Sequence, residues 1–385
     1  MSRAERDTRL DGYVDPRFVS VREAFKEGFA QGKELFAAVA VYHRGALVVD
    51  LAAGARDPLS QDPYDRGTLQ PVLSATKGIT ALAANMLADR GRLDLDRPVA
   101  SYWPEFAREG KSGTSVRWLL THESGVLGLD RAVSQEQLLD WAPGVEQVAE
   151  QAPDWRPGTQ HGYHALTFGF LVGELIRRVA GMTVGEYVAR EISGPLHAEV
   201  HIGLPRDAAS RVAPACMPAL AGQGRLADSG PYAARVLNSI SPPLKLTDVN
   251  RPDVRGAELP SVNGIASARS LARVFGSMIG SIDGTRCLSP QAVDGARGEQ
   301  WRGRDLVMGV ENAMRLGFLL PSEWCPLGGP GSFGTAGFGG SRAWANPDLE
   351  LAFAYTPNLC SLGHFDHRET ALSRATVACA RAARS

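Results

Sequence analysis

Residues 73–91 read LSATKGITALAANMLADRG and predict a helix from which the rest of the fold can be worked out. Apolar residues recur in this stretch with the i, i+3, i+4 spacing of a helix that turns one face toward a core. These residues are Ile79, Leu82, Ala83, Met86 and Leu87. Gly91 is a favourable stop just beyond them. Ser74 and Lys77 lie on one face near the helix N-terminus, where the helix dipole favours developing negative charge.

The Ser74–Lys77 pair predicts a nucleophile with a base beside it. A serine hydroxyl has a very high pKa and needs such a base to attack a carbonyl. A lysine amine can be that base if its surroundings favour the neutral form. Only five lysines occur among the 385 residues, and this is the sole Ser-x-x-Lys match. The pair predicts a serine acyl-enzyme hydrolase without metal or cofactor; the alternative is that Ser74 is only a helix N-cap.

The composition is that of an ordinary globular protein, with 44% hydrophobic and 22% charged residues. A formal net charge of -1 gives no overall attraction to nucleic acid or to an anionic membrane, so neither is expected as a partner. The five cysteines are scattered and include no CxxC pair, which favours buried reduced thiols over a zinc site or disulfides. The charged residues 1–7, and the absence of an apolar run of about 18 residues, predict a cytoplasmic protein.

Strand patterns lie toward both ends of the chain, and helical patterns lie in the middle. Residues 36–42 and 46–52 predict a hairpin, whose turn is at residues 43–45. Residues 222–243 lack long periodic patterns and are predicted to be loop. Further strands are predicted at residues 306–310, 314–320, 342–345 and 349–355. Further helices are predicted at residues 166–179, 184–192, 262–282 and 368–384.

This layout predicts an α+β fold in which helices flank a mostly antiparallel sheet. Residues 1–95 and 240–385 are expected to form a sheet domain from two halves of one sheet. Residues 96–239 are expected to form a mainly helical domain that is inserted between those halves.

Three more segments carry sequence motifs in a fixed order along the chain. They are LLTHESG at residues 119–125, WRPGT at 155–159 followed by GYHA at 162–165, and FGTAGFGGS at 333–341. Together with Ser74 and Lys77, these segments resemble the serine β-lactamase and penicillin-binding protein superfamily. The similarity is strongest to the class C β-lactamase-like esterases, the family VIII carboxylesterases, and extends over about residues 36–358. The resemblance implies a three-layer β-lactamase/transpeptidase-like fold.

The resemblance also implies roles for individual residues. It makes Ser74 the nucleophile, Lys77 its partner and Tyr163 a catalytic tyrosine. Lys77 and Tyr163 are expected to share the proton of Ser74 as a coupled pair, and either can be the base. The backbone N–H groups of Ser74 and Phe338 are expected to form the oxyanion hole. His164, Thr335, Ala336 and Gly337 are expected to contact the substrate.

The third motif departs from the family pattern. Thr335 and Ala336 precede Gly337, whereas the family has Lys, His or Trp at the position of Thr335. A lysine there suits the carboxylate of a β-lactam, and neither residue here supplies that charge. The sequence therefore favours neutral esters and weak or absent β-lactam hydrolysis.

The histidines divide into three groups. His122 lies among apolar residues, which is typical of a core histidine. His164 follows Tyr163 and is the better candidate for lining the pocket. His197 and His201 have an i, i+4 spacing that could suit a metal, but no third ligand accompanies them, so no metal site is predicted.

The predicted function is hydrolysis of small carboxylic esters through an acyl-Ser74 intermediate. The first alternative is an acyltransferase, in which an amine or alcohol accepts the acyl group; Pro and Gly residues within 222–260 could then build a lid that excludes water. The second alternative is a catalytically weak protein that binds a β-lactam or another ligand. The expected partner in every case is a small molecule.

Overall fold

A nine-stranded sheet forms the centre of the structure, a computed structural model that describes residues 10–56, 63–217, 230–360 and 368–383. Its strands are β1 (Leu10–Val14), β2 (Ala37–His43), β3 (Ala46–Ala53), β7 (Trp301–Arg304), β8 (Glu311–Arg315), β9 (Phe318–Leu319), β10 (Phe333–Ala336), β11 (Arg342–Asn346) and β12 (Leu351–Pro357). The order across the sheet is β1-β3-β2-β12-β11-β10-β9-β8-β7. Each neighbouring pair is antiparallel, as predicted. A second, three-stranded sheet has the order β4-β6-β5 and consists of β4 (Gln70–Pro71), β5 (Val200–His201) and β6 (Ile265–Ala266).

Twelve helices surround the sheets in the ranges that the structure describes. They are α1 (Val19–Ala30), α2 (Thr76–Asp89), α3 (Val116–Leu120), α4 (Gln135–Leu139), α5 (Trp141–Glu150), α6 (Thr167–Ala180), α7 (Val184–Val188), α8 (Ala233–Leu237), α9 (Pro252–Gly256), α10 (Ala268–Ile279), α11 (Pro290–Arg297) and α12 (Arg368–Ala382). None of them has both the length and the apolar character needed to cross a membrane.

The large sheet is covered on both faces, which gives the three layers of the predicted α+β fold. The side chains of strand β2 alternate between the two covered faces. Ala38 and Ala40 belong to the core cluster on the side of α10, whereas Val39 and Val41 belong to the cluster on the side of α1 and α12. Successive strand residues point to opposite faces, so a strand that is buried on both sides becomes apolar throughout.

The helices α3 to α9 lie between β4 and β6 in sequence, and the large sheet is built from residues 10–53 and 301–357. The predicted hairpin of β2 and β3 and the predicted strands at β11 and β12 are confirmed. The proposed division into residues 1–95 plus 240–385 and residues 96–239 as separate domains stays a prediction.

Other predicted elements need correction. Residues 306–310 form a turn and not a strand, and residues 314–320 form the end of β8, a turn and β9. Within the predicted loop at 222–243, α8 is helical; residues 222–229 lie outside the described residues. The helix α2 is buried all round from Thr76 to Leu87, although a single core-facing stripe was predicted.

Truncating Leu271 to alanine is expected to lower the free energy of unfolding by about 2–5 kcal/mol, the usual range for a large buried aliphatic residue. Leu271 lies on α10 and is fully buried between that helix and the sheet. Urea denaturation of the variant measures the loss. Leu237→Ala is the matched control, because Leu237 is 50% exposed and its truncation should change stability by less than about 0.5 kcal/mol. Equal effects in both variants would contradict the packing of α10.

Candidate active site

Ser74 lies in a short 3₁₀ turn, Leu73–Ala75, that leads directly into α2. The chain enters this turn from β4, and the Val72 N–H donates to the Gly264 carbonyl at 2.9 Å. Leu73 has a φ of 50°, a left-handed conformation that is unfavourable for a leucine. The Thr76 hydroxyl donates to the Leu73 carbonyl and accepts from the Gly264 N–H, so the strained turn is held from both sides. Such strain is typical of functional sites.

Lys77 lies one turn further along, as predicted from the spacing. Its Nζ is 3.4 Å from Ser74 Oγ, 2.8 Å from the Ala165 carbonyl oxygen and 3.0 Å from the Ser261 carbonyl oxygen. The side chain is 4% exposed. A neutral amine has two N–H groups for the two carbonyls and one lone pair that can accept the Ser74 proton.

Burial lowers the pKa of the Lys77 amine well below its ordinary value. The cause is desolvation, which disfavours the charged form of a buried lysine. This shift favours the neutral form of Lys77, which a general base needs. Its Nζ also lies 4.6 Å from the centroid of the Tyr163 ring, a position that would favour the ammonium once a proton is taken.

Tyr163 completes the group around the nucleophile. Ser74 is close enough to the Tyr163 hydroxyl to influence the pKa of the phenol. Burial raises the pKa of this phenol above its ordinary value, and the nearby Ser74 only partly offsets that effect. The tyrosine is therefore neutral at physiological pH. The structure brings Ser74, Lys77 and Tyr163 together, and the two pKa directions favour Lys77 as the base.

The third motif lies against the Ser74 turn. A Cβ added to Gly337 would be 2.3 Å from the Val72 carbonyl oxygen and 3.3 Å from the Ala75 nitrogen, so only glycine allows this approach. Gly339, two residues later, lies beside the Leu73 side chain. The Phe338 between them makes no backbone N–H hydrogen bond to any residue that the structure describes. Its N–H is thus available near Ser74, and its side chain is 42% exposed.

Thr335 and Ala336 do not present charge or an open side chain to this space. Thr335 is 4% exposed; its hydroxyl donates to the Ala75 carbonyl at 3.4 Å, and its Cβ and methyl group pack on Gly78. Ala336 is half-buried and packs with the core cluster on the opposite face of the sheet. The two side chains therefore pack within the protein on either face of β10, and the expectation that these residues contact the substrate stays a prediction.

His164 is also a correction. It is fully buried; Nδ1 donates to the Gly162 carbonyl at 2.6 Å, and Nε2 accepts from the Ser124 hydroxyl at 2.8 Å. Burial lowers the pKa of His164 to about 3, so the ring is neutral. It supports the loop of Tyr163 and does not line the pocket. His122 is fully buried, as predicted, and its ring contacts Tyr163 at a centroid distance of 5.1 Å.

Two residues at the site were missed by sequence reasoning, Asp305 and His161. Both are fully buried, and the His161 Nε2 lies 3.1 Å from Asp305 Oδ2. Asp305 Oδ1 accepts the Tyr163 N–H at 3.1 Å. A histidine two residues before the catalytic tyrosine was the only available signal, and nothing local pointed to its partner.

An apolar cluster lies next to Tyr163, and we call it the apolar wall. Trp155 and Tyr232 meet edge to face in it, with ring centroids 5.4 Å apart. The wall consists of Leu127, Trp155, Ala165, Tyr232, Val236 and Val307, packed with Tyr163. This cluster therefore packs directly against the tyrosine of the candidate site.

Comparison with known proteins identifies the family to which the chain is similar. A family model described as beta-lactamase matches residues 21–377. The Mycobacterium tuberculosis (strain ATCC 25618 / H37Rv) protein named Esterase/beta-lactamase LipL is 36% identical over 365 residues, which cover 91% of this chain and 83% of that protein. A solved structure described as a family VIII carboxylesterase has 33% identity and a TM-score of 0.88, and the match covers 96% of this chain and 100% of that chain. A penicillin-binding protein homologue from Caulobacter crescentus has 35% identity and a TM-score of 0.88, with 97% and 100% covered. The resemblance and the fold class predicted from the motifs are confirmed.

Proposed function

This chain belongs to the beta-lactamase family, and from that premise we propose that it is a serine hydrolase that cleaves carboxylic esters through an acyl-Ser74 intermediate. One observation carries the proposal: the buried Lys77 amine lies 3.4 Å from Ser74 Oγ and 4.6 Å from the centroid of the Tyr163 ring. The similarity to proteins described as an esterase/beta-lactamase and a carboxylesterase supports the same conclusion.

In the proposed reaction, Lys77 takes the proton of Ser74 as Oγ attacks the carbonyl carbon of the ester. The new ammonium is stabilised by the face of the Tyr163 ring and by the carbonyl oxygens of Ala165 and Ser261. A charge that forms in a buried site without a carboxylate partner needs such dipoles around it. Lys77 can therefore hold the proton for the short life of the tetrahedral intermediate.

The backbone N–H groups of Ser74 and Phe338 donate to the oxyanion of that intermediate. The bond from the carbonyl carbon to the alcohol oxygen then breaks. Tyr163 gives its hydroxyl proton to the leaving oxygen and regains a proton from Lys77. In the second half, Lys77 deprotonates a water molecule that attacks the acyl group, and its proton returns to Ser74 as the carboxylic acid leaves.

The preferred substrate is a neutral ester with an apolar group on the acyl or alcohol side. Thr335 and Ala336 are uncharged, so this strand offers no cation for the carboxylate of a β-lactam. The apolar wall lies directly beside Tyr163 and fits an apolar substituent. Hydrolysis of β-lactams is expected to be weak.

A substrate comparison tests this proposal. The wild-type protein and Ser74→Ala are incubated with p-nitrophenyl butyrate, with nitrocefin, and with the ester plus an amine acceptor. We expect rapid ester hydrolysis by the wild type only and slow turnover of nitrocefin. An ester rate equal to the Ser74→Ala background would contradict the hydrolase proposal. An acyl adduct that turns over only with the amine would identify an acyltransferase, and a stable nitrocefin adduct would identify a β-lactam-binding protein.

The rate of ester hydrolysis is expected to rise from acidic to alkaline pH and then to stay level. Because the pKa of Lys77 is lowered, the neutral base is present at pH values below the ordinary pKa of a lysine. Activity is lost as pH falls through that lowered pKa. The raised pKa of Tyr163 keeps its hydroxyl protonated in alkaline solution. The measurement is kcat/KM from about pH 5 to about pH 10. A rate that falls between neutral and mildly alkaline pH would mean that the charged form of Lys77 is needed.

A further inference from the structure

A buried His–Asp pair contacts the backbone of Tyr163. His161 and Asp305 have no exposed surface, and 3.1 Å separates His161 Nε2 from Asp305 Oδ2. The ring of Trp301 stacks on His161, with centroids 5.2 Å apart and planes inclined by 16°. Neither residue takes part in the proposed reaction, so their burial and pairing require another explanation.

His161 has a close polar neighbour at each ring nitrogen. Nδ1 donates to the Thr121 carbonyl oxygen at 2.7 Å, because a carbonyl oxygen can only accept. Nε2 lies 3.1 Å from Asp305 Oδ2. Burial raises the pKa of Asp305, but the neighbouring His161 and the N–H groups of Met308 and Val307 outweigh burial, and that pKa lies below its ordinary value.

The second oxygen of Asp305 holds the backbone around the catalytic tyrosine. Oδ1 accepts the N–H of Tyr163 at 3.1 Å, of Val307 at 2.8 Å and of Met308 at 2.8 Å. The Leu306 N–H donates to the His161 carbonyl at 3.0 Å, so the same two segments are joined a second time. Three N–H groups that converge on one carboxylate oxygen would all lose their acceptor if the carboxylate were removed.

The turn that Asp305 forms also carries part of the apolar wall. Val307 belongs to the wall, and its carbonyl accepts the Gly230 N–H at 2.9 Å. The Leu306 carbonyl accepts the Tyr232 N–H at 3.0 Å, and Tyr232 is another member of the wall. The carboxylate is thus connected to the proton-transfer residue and to two members of the apolar wall.

We propose that the buried Asp305 carboxylate, packed against His161, positions Tyr163 and the adjoining apolar wall for catalysis. Asp305 is a positioning residue, because it acts through the backbone of Tyr163 and not on Ser74. This inference rests on the proposed function for the meaning of the Tyr163 position, but the three hydrogen bonds to Asp305 Oδ1 are independent of it. A small displacement of a catalytic group can lower a rate by about 100-fold. Holding the backbone of Tyr163 in a fixed position therefore affects kcat directly.

The variants Asp305→Ala and Asp305→Asn test the positioning role by steady-state kinetics with p-nitrophenyl butyrate. Asp305→Ala removes the acceptor of three N–H groups and should lower kcat by about 100-fold and raise KM, because Tyr163 and the apolar wall both lose this support. Asp305→Asn keeps an oxygen for these N–H groups, so most of kcat should return. Phe353→Leu is the control: it disturbs the core on the opposite face of the sheet and should leave kcat unchanged. Wild-type kcat in Asp305→Ala, or an equal loss in Asp305→Asn, would overturn the positioning role.

Amide hydrogen exchange tests the role of the carboxylate without substrate. The N–H groups of Tyr163, Val307 and Met308 all donate to Asp305 Oδ1. We expect these three amides to exchange faster in Asp305→Ala than in the wild type and to keep wild-type rates in Phe353→Leu. Unchanged exchange in Asp305→Ala would overturn the positioning role. This readout remains valid if the protein hydrolyses no ester, so a failure of the positioning role is distinguishable from a failure of the proposed function.

Discussion

Replacing Lys77 by methionine is expected to lower kcat for ester hydrolysis by about 10³-fold, within the range that general-base catalysis contributes. Methionine keeps a similar length and fills the same buried space, but its thioether sulfur is far too weak a base to take the proton of Ser74. Removing a buried amine offsets the loss of its hydrogen bonds to the carbonyl oxygens of Ala165 and Ser261, so the free energy of unfolding should change little. Steady-state kinetics and urea denaturation of the same preparation measure both quantities.

Lys77→Arg separates the basicity of this residue from its charge. A guanidinium cannot give up its proton in a protein, so it cannot act as the base. The arginine variant should therefore be as inactive as the methionine variant. An active arginine variant, or a methionine variant that retains more than a tenth of the wild-type kcat, would contradict the assignment of Lys77 as the base.

Replacing Gly337 by alanine is expected to lower kcat by about 100-fold, the smaller end of the loss seen when one oxyanion donor is removed. The new Cβ would lie 2.3 Å from the Val72 carbonyl oxygen, a backbone atom that cannot rotate away. The end of β10 must then move from the Ser74 turn, and the Phe338 N–H moves with it. The loss should appear in the rate of acylation, measured by the burst of nitrophenol in stopped-flow experiments.

Gly113→Ala is the matched control for this substitution. A Cβ at Gly113 meets no atom within 4 Å among the described residues, and its φ is not in the left-handed region. Its kcat should equal that of the wild type. If Gly337→Ala were also fully active, the oxyanion hole would have to be formed elsewhere than at Phe338.

Local patterns in the sequence were sufficient to predict the central elements of the fold and to identify the candidate nucleophile. The apolar runs of β2 and β3 are adjacent in the chain, so a short turn joins them and their pairing follows. The Ser74–Lys77 contact spans one helical turn and is set by helix geometry. Tyr163 required the resemblance, because 88 residues separate Lys77 from the Ala165 carbonyl that it contacts.

Residues 306–310 were predicted to be a strand from their apolar pattern, but a local interaction makes them a turn. The Asp305 carboxylate accepts the N–H groups of Val307 and Met308, and the Gly309 N–H donates to the Asp305 carbonyl at 2.8 Å. An aspartate that bonds its own following backbone favours a turn over sheet pairing. The apolar residue Val307 is then used in the apolar wall and not in a strand.

The remaining errors concern the direction of side chains, which depends on distant contacts. His164 follows Tyr163 directly, yet its ring points to Ser124, which lies 40 residues earlier. The His161–Asp305 pair was missed for the same reason, since 142 residues separate Tyr163 from the carboxylate that holds its N–H. Hydrophobic periodicity carries no information on such pairs.

Mass spectrometry of protein quenched during turnover of p-nitrophenyl butyrate tests the central claim most directly. Peptide mapping should locate one butyryl group on Ser74, and Lys77→Met should accumulate it far more slowly than the wild type. Two results would contradict an acyl-Ser74 mechanism in which Lys77 is the base. In the first, the wild type turns over the ester but carries the acyl group on another residue. In the second, it turns over the ester with no covalent adduct even when deacylation is slowed.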